Sequence, residues 1–125
     1  MESGRLVAYK GINYFVMDFT GRQSAERKAI IDECGRQVQA QPNKSVYVIT
    51  NVKGASFDSD FINMLKLLAK NNEPHVIKGA VVGLSGLQQI AMMMISTFSN
   101  RTFEQFGTVE KAVEAFVADS ISKKG

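Results

Sequence analysis

The sequence predicts an α/β fold with a mixed, mostly parallel sheet of about five strands and about four helices. Short apolar runs of strand length alternate along the chain with longer segments of helical periodicity, as in βαβ units. The clearest run, at 78–84, breaks at Gly83 and passes through Ser85 and Gly86 into a helical pattern that extends to about Phe98. Apolar runs bounded by glycine are typical of buried parallel strands. We therefore expect 80–84 to be an interior strand.

The other predicted strands lie on both sides of this run. Residues 5–10 and 14–19, joined by a turn at 11–13, predict an antiparallel hairpin at the start of the sheet. The β-rich run SVYVIT at 45–50 predicts a central strand. A short last strand is expected at 102–106.

Helical periodicity predicts three further helices. Ser24 is the expected cap of the first helix, and Asp58 or Ser59 is the expected cap of the second. The predicted spans are 24–39, 58–70 and 108–118. We expect one domain over residues 1–125, with its core at about 5–118 and a frayed tail at 119–125.

Composition and charge limit the classes of function. The chain is 45% hydrophobic and 22% charged, which is typical of a globular domain. The net charge of +3 arises from scattered bases that alternate with acids. Since there is no basic block with interleaved aromatic residues, we expect no nucleic-acid partner.

The single cysteine and the hydropathy pattern indicate a cytoplasmic protein. Cys34 has no partner for an internal disulfide, which favours a reducing compartment, and its place on an apolar helical stripe predicts a small buried side chain. The first residues lack the apolar stretch of a secretory signal. The apolar run at 90–95 is too short to span a bilayer, so we expect no stable membrane insertion.

Motifs for catalysis, cofactors and metals are weak. Gly79, Gly83 and Gly86 do not have the spacing of a nucleotide-binding loop. Ser85 lies outside a G-x-S-x-G elbow, and His75 is the only histidine that could serve as its base. One histidine and one cysteine do not make a metal-ligand cluster. We therefore expect a protein that is not an enzyme, with no cofactor and no metal.

Two groups of residues are candidates for binding. The turns before Asp58 and Ser85 follow strands expected to be parallel, so both should emerge at the carboxyl edge of the sheet, where α/β folds place ligands. The run Met92–Met94 lies on a helix with more apolar side chains than one buried stripe can use. Core filling explains part of this surplus, and a partner surface, an oligomer surface or an apolar pocket wall could explain the rest. The candidate binding residues are Phe57, Asp58, Ser59, Asp60, Phe61, Ser85, Gly86, Met92 and Met93.

Several segments resemble the SpoIIAA-like family, within the broader STAS-like group. They are SVYVITNVKGASF at 45–57, KNNEPHV at 70–76, AVVGLSGL at 80–87, FSNRTF at 98–103 and FGTVEKA at 106–112. The resemblance covers about 14–117. It implies a small α/β domain that acts by binding, in the company of anti-sigma-factor antagonists, whose switch is sometimes phosphorylation at the start of the helix after the central strand.

The phosphorylation motif of those relatives, Asp-Ser-Ser/Thr-Gly, is only half matched here. Asp58 and Ser59 fit the first two positions, whereas Asp60 takes the place of the phosphoacceptor and Phe61 replaces the glycine. A carboxylate supplies about one unit of negative charge, against nearly two for a phosphate. We therefore do not expect the usual phosphorylation switch.

Two functions follow from these observations. The first is a non-enzymatic regulatory or protein–protein interaction domain of the STAS-like type, with a protein partner and possible homodimerisation. The alternative is a domain that binds a small ligand, either a nucleotide or a lipid-like molecule, near the turns at Asp58 and Ser85.

Overall fold

The computed structural model describes residues 3–99 and 103–124. Its strands are β1 (Leu6–Tyr9), β2 (Ile12–Asp18), β3 (Val46–Asn51), β4 (Val76–Val82) and β5 (Phe103–Phe106). Its helices are α1 (Ser24–Val38), α2 (Ser59–Asn72), α3 (Gly86–Ser99) and α4 (Val109–Lys124), and a 3₁₀ turn at Glu73–His75 precedes β4. The predicted fold class is confirmed over the described residues.

The sheet follows the order of the chain, β1-β2-β3-β4-β5. The first pair is antiparallel, which confirms the predicted hairpin, and the other three pairs are parallel. We had not predicted the strand order. Because β2, β3, β4 and β5 are parallel, the loops that follow them all leave the same edge of the sheet.

Three helices cover one face of the sheet. α1, α2 and α3 pack on the strand residues Phe15, Met17, Val48 and Val81. Cys34 lies within this layer with no exposed surface, as the apolar stripe of α1 predicted. The helix residues that complete the layer include Ile31, Val38, Phe61, Leu65, Leu68, Met92 and Ile95.

α4 covers the other face. Its residues Ala112, Val113 and Phe116 pack on a second apolar layer from the central strands. The ring of Tyr47 stacks on that of Phe116, with 4.5 Å between the ring centroids. The strand residues of this layer are Ile12, Tyr14, Val16, Tyr47, Ile49, Ala80 and Val82.

A polar cluster joins the second half of α4 to the sheet, and the helix continues beyond Ala118. The hydroxyl of Tyr47 donates to one carboxylate oxygen of Asp119 at 2.8 Å, and the ammonium of Lys78 lies 2.8 Å from the other. The hydrogen bond from Lys78 lowers the pKa of Asp119, while burial raises the pKa of Tyr47. These contacts extend the helix to Lys124.

The boundaries of several elements differ from the prediction, including those of β4 and α1. β4 begins at Val76, four residues earlier than expected. A register shift between Val46 and Tyr47 allows Val46 to pair with Val76 while Asn51 pairs with Val82. It ends at Val82, since Gly83 takes a positive φ of 79°. At α1 the cap is Gln23, whose backbone N–H donates to the Glu26 carboxylate at 3.1 Å. Thr102, the first residue of the expected last strand, lies outside the described residues.

Candidate functional site

The loops after β3 and β4 lie in contact at the carboxyl edge of the sheet. The backbone N–H of Val52 donates to the carbonyl of Val82 at 3.0 Å, so the two chains stay paired beyond the strands. At Gly83 they come so close that an added Cβ would lie 2.7 Å from the Cβ of Lys53. Glycine therefore permits both the turn and the close approach.

Gln88, on the first turn of α3, joins these two loops. Its side-chain oxygen accepts a hydrogen bond from the backbone N–H of Ser85 at 2.7 Å. Its side-chain nitrogen donates to the carbonyl of Val52 at 3.0 Å and also to the carbonyl of Ala55. The side chain is almost fully buried. One amide thus fixes the start of α3 to the β3–α2 loop.

Sequence reasoning missed Gln88, although a signal for it was present. Ser85 and Gln88 have the S-x-x-Q spacing of a capping box, in which the later side chain returns to the backbone N–H of the cap residue. That motif predicts the bond to Ser85. It does not predict the two bonds to the distant loop.

Arg27, on α1, supports the β3–α2 loop from the opposite side. Its guanidinium donates to the carbonyl of Ser56 at 2.8 Å and lies 4.4 Å from the centroid of the Phe61 ring. Arg27 is 8% exposed, and among the described residues its Nε has no hydrogen-bond partner. Its spacing from Ile31 and Cys34 places it on the buried stripe of α1, a signal that we had not used.

The candidate residues near the start of α2 have different roles. Asp58 caps the helix, because its carboxylate accepts a hydrogen bond from the backbone N–H of Phe61 at 2.8 Å. Asp58, Ser59 and Asp60 are exposed, and Phe57 is half-buried. Phe61 is 1% exposed and supports the Phe57 ring edge-on, at 5.1 Å between centroids. Phe61 is thus a support beneath the surface.

Ser85 and Gly86 are exposed at the start of α3, across a groove from the β3–α2 loop. The groove has a volume of about 450 Å³. Its lining residues are Gly54, Ala55, Ser56, Phe57, Ser85 and Gln88. We define the carboxyl-edge surface as the half-buried Phe57 together with the exposed residues Asp58, Ser59, Asp60, Ser85 and Gly86.

The methionine run divides between the core and the surface. Met92 is 8% exposed and belongs to the core layer beneath α3. Met93 and Met94 are 69% and 46% exposed, and Ile90 beside them is 64% exposed. The outward apolar patch on α3 therefore consists of Ile90, Met93 and Met94, with Met92 on the inner side of the helix.

The structure separates the residues of a conceivable hydrolase triad. His75 precedes β4 and Ser85 follows it, and seven residues of strand place them about 20 Å apart at opposite edges of the sheet. The His75 Nδ1 lies 2.7 Å from the carbonyl oxygen of Gln41. Within residues 3–99 and 103–124, His, Cys, Asp and Glu form no group of three that could hold a metal ion. Over the same residues, no helix is both long and apolar enough to cross a membrane.

Comparison with known proteins defines the class of fold. No protein-family model matches the sequence, and no curated protein matches it. The architecture is that of a STAS-like α/β domain, which confirms the fold expected from the resemblance.

The structural relative is an anti-sigma-factor antagonist (STAS) domain protein from Planctomyces limnophilus. The two structures superpose with a TM-score of 0.60, over 91% of this chain and 97% of that chain. Their sequences are 17% identical, so this likeness establishes the fold alone.

Proposed function

We propose that this domain is a non-enzymatic, cytoplasmic regulatory module that binds a protein partner through the carboxyl-edge surface. The proposal rests on one observation: the side chains of Gln88 and Arg27 both donate hydrogen bonds to the β3–α2 loop and hold this surface in place. A pre-organised surface loses little conformational entropy on binding. The description of the structural relative as an anti-sigma-factor antagonist supports a role of the same kind.

Asp60 gives the surface a constant negative charge in this proposal. It is exposed in the first turn of α2, the helix that follows the middle strand of the sheet. The resemblance to the STAS-like group assigns the phosphoacceptor to this position. A carboxylate here cannot be removed by a phosphatase, so the domain acts without the usual phosphorylation switch.

The exposed acids determine the chemistry of the proposed partner. Asp58 and Asp60 carry full negative charges, which outweigh the partial positive charge of about half a unit at a helix N-terminus. Phe57 adds apolar contact area beside them, and its ring is held in place by Phe61. The surface therefore suits a protein segment that combines a basic side chain with an apolar one.

The test is capture of proteins from cell extract by the immobilised domain, with quantification by mass spectrometry. Asp60→Arg reverses the charge and Phe57→Ala removes the apolar contact, so both should reduce capture of the specific partner at least tenfold. The matched control is Glu110→Arg, because Glu110 occupies the first turn of α4 and is also exposed. If both variants and the control retain the same proteins as the wild type, the carboxyl-edge surface is not the binding site.

Small-ligand binding is the second candidate function. The groove between the β3–α2 loop and Ser85 has a volume of about 450 Å³, within the range of roughly 300–1,000 Å³ that is common for ligand sites. A nucleotide or lipid-like ligand held there would raise the melting temperature in a concentration-dependent manner. Ser85→Trp should abolish that increase, because Ser85 is an exposed residue that lines the groove.

Homodimerisation through α3 also belongs to the proposal. Ile90, Met93 and Met94 expose a continuous apolar patch at helical spacing, and the helix carries no charged residue. Native mass spectrometry should show a dimer that Met93→Glu converts to a monomer. A wild-type monomer at high concentration would exclude self-association.

A further inference from the structure

Two adjacent hollows under α3 share part of their lining, and we call the pair the channel. The outer one is a groove of about 210 Å³ between α3 and β5, and the inner one is a cavity of about 30 Å³ between the sheet, α2 and α3. Both are lined by Val81, Met92 and Phe103. These three side chains therefore form the boundary between the groove and the cavity.

The inner cavity is poorly suited to water. A buried water forms about three hydrogen bonds, and an otherwise apolar cavity of this kind stays dry. The polar residues among those that line it are Thr50 and Asn72. The amide of Asn72 is already bonded to Gln39 at 2.9 Å. The remaining lining residues are apolar, and they are Met17, Val48, Leu65, Leu68, Ala69, Val81, Met92, Ile95 and Phe103.

The mouth of the groove is polar but uncharged. The side-chain amides of Gln89 on α3 and Gln105 on β5 bond to each other at 2.8 Å across it. Ser96 and Thr97 provide hydroxyl groups nearby, and within residues 3–99 and 103–124 no charged side chain lines either hollow. A charged ligand would lack a counter-ion here, whereas an uncharged polar head could exchange hydrogen bonds with the glutamine amides.

We propose that this channel binds a neutral amphiphile with a short alkyl chain. The chain lies under α3, with its end at Met92 and the inner cavity, and the uncharged head lies at Gln89 and Gln105. The groove volume is below the roughly 300 Å³ at which sites for drug-sized ligands begin, which limits the length of the chain. Methionine suits such a wall, because its flexible side chain adapts to different apolar shapes.

The test is a titration of the full chain, labelled with ¹³C at the methionine methyl groups, with 1-octanol. The methyl signals of Met92 and Met93, which line the groove, and of Met17, which lines the cavity, should shift and reach saturation. Met64 and Met94 line neither hollow and serve as internal controls. Equal shifts at Met94, or shifts that do not saturate, would overturn the proposal.

The charge of the ligand and the entry route are tested separately. Octanoate at neutral pH should bind at least tenfold more weakly than 1-octanol, and equal affinity would refute the neutral class. Ser96→Trp should fill the groove and weaken binding at least tenfold, whereas Ile90→Trp, on the exposed side of the same helix, should not. Thr97→Trp is a second blocking variant if Ser96→Trp does not fold. Unchanged binding in the folded blocking variant would contradict the route.

Discussion

Replacing Gln88 by alanine should destabilise the protein by about 3 kcal/mol. The substitution removes three hydrogen bonds, which join the side chain to the Ser85 N–H and to the carbonyls of Val52 and Ala55. A buried polar group that loses its partner costs about 1–3 kcal/mol. We take the lower value because Ser85 is exposed and can bind water, and because the carbonyl of Val52 still accepts a hydrogen bond from the backbone N–H of Ala55. For a chain of this length, about 3 kcal/mol corresponds to a decrease in melting temperature of roughly 10–15 °C.

The assay is urea unfolding followed by circular dichroism, and the neighbouring glutamine provides the control. Among the hydrogen bonds described, the side chain of Gln89 bonds only to the exposed amide of Gln105, so Gln89→Ala should change the free energy of unfolding by less than about 0.5 kcal/mol. Gln88→Glu keeps an acceptor for Ser85 but places carboxylate oxygens against two carbonyl oxygens, so it should cost at least as much as alanine. Equal stability of Gln88→Ala and Gln89→Ala would refute the reasoning.

Two further predictions concern the turn after β4 and the contact that fixes α4. Gly83→Ala should lower the free energy of unfolding by urea more than Gly54→Ala does. Both glycines have a positive φ, a conformation that costs alanine about 1–2 kcal/mol. Only at Gly83 would the added Cβ also lie 2.7 Å from Lys53. Equal costs would contradict the close approach. Lys78 lowers the pKa of Asp119 in the folded protein, so the Asp119 carboxylate stabilises the fold at pH values above the unfolded-state pKa of about 4. This stabilisation is lost as the pH falls through the lower folded-state pKa. Asp119→Asn should therefore be less stable than the wild type at pH 7, with a difference that shrinks below pH 4; a difference independent of pH would contradict this assignment.

Local signals in the sequence were enough for most of the fold. The break at Gly83 and the cap at Asp58 depend on neighbouring residues, so a pattern of a few positions reveals them. The site depends on contacts between distant segments. Gln88 bonds to carbonyls 36 and 33 residues away, and Asp119 bonds to Tyr47 over 72 residues. Sequence spacing carries no record of such pairs.

The methionine run shows the same limit within a single helix. Three consecutive methionines fit the core equally well by composition, and only the rotation of α3 against the sheet decides which one is buried. That rotation places Met92 inside and leaves Met93 and Met94 outside. It depends on packing against α2 and β4, which a single sequence does not specify.

The order of strands in the sheet has a consequence for how the chain folds. Each strand from β2 to β5 pairs with the strand that precedes it, so the sheet can grow by successive additions. The first addition closes a tight hairpin, and each later one closes a crossover that contains one helix. α4 is different, because it packs back across strands formed much earlier, at Tyr14, Val16 and Ile49. Until α4 docks, those side chains are open to water and to other chains, and such exposed apolar surface favours aggregation. Docking of α4 is therefore the step that buries the second apolar face of the sheet.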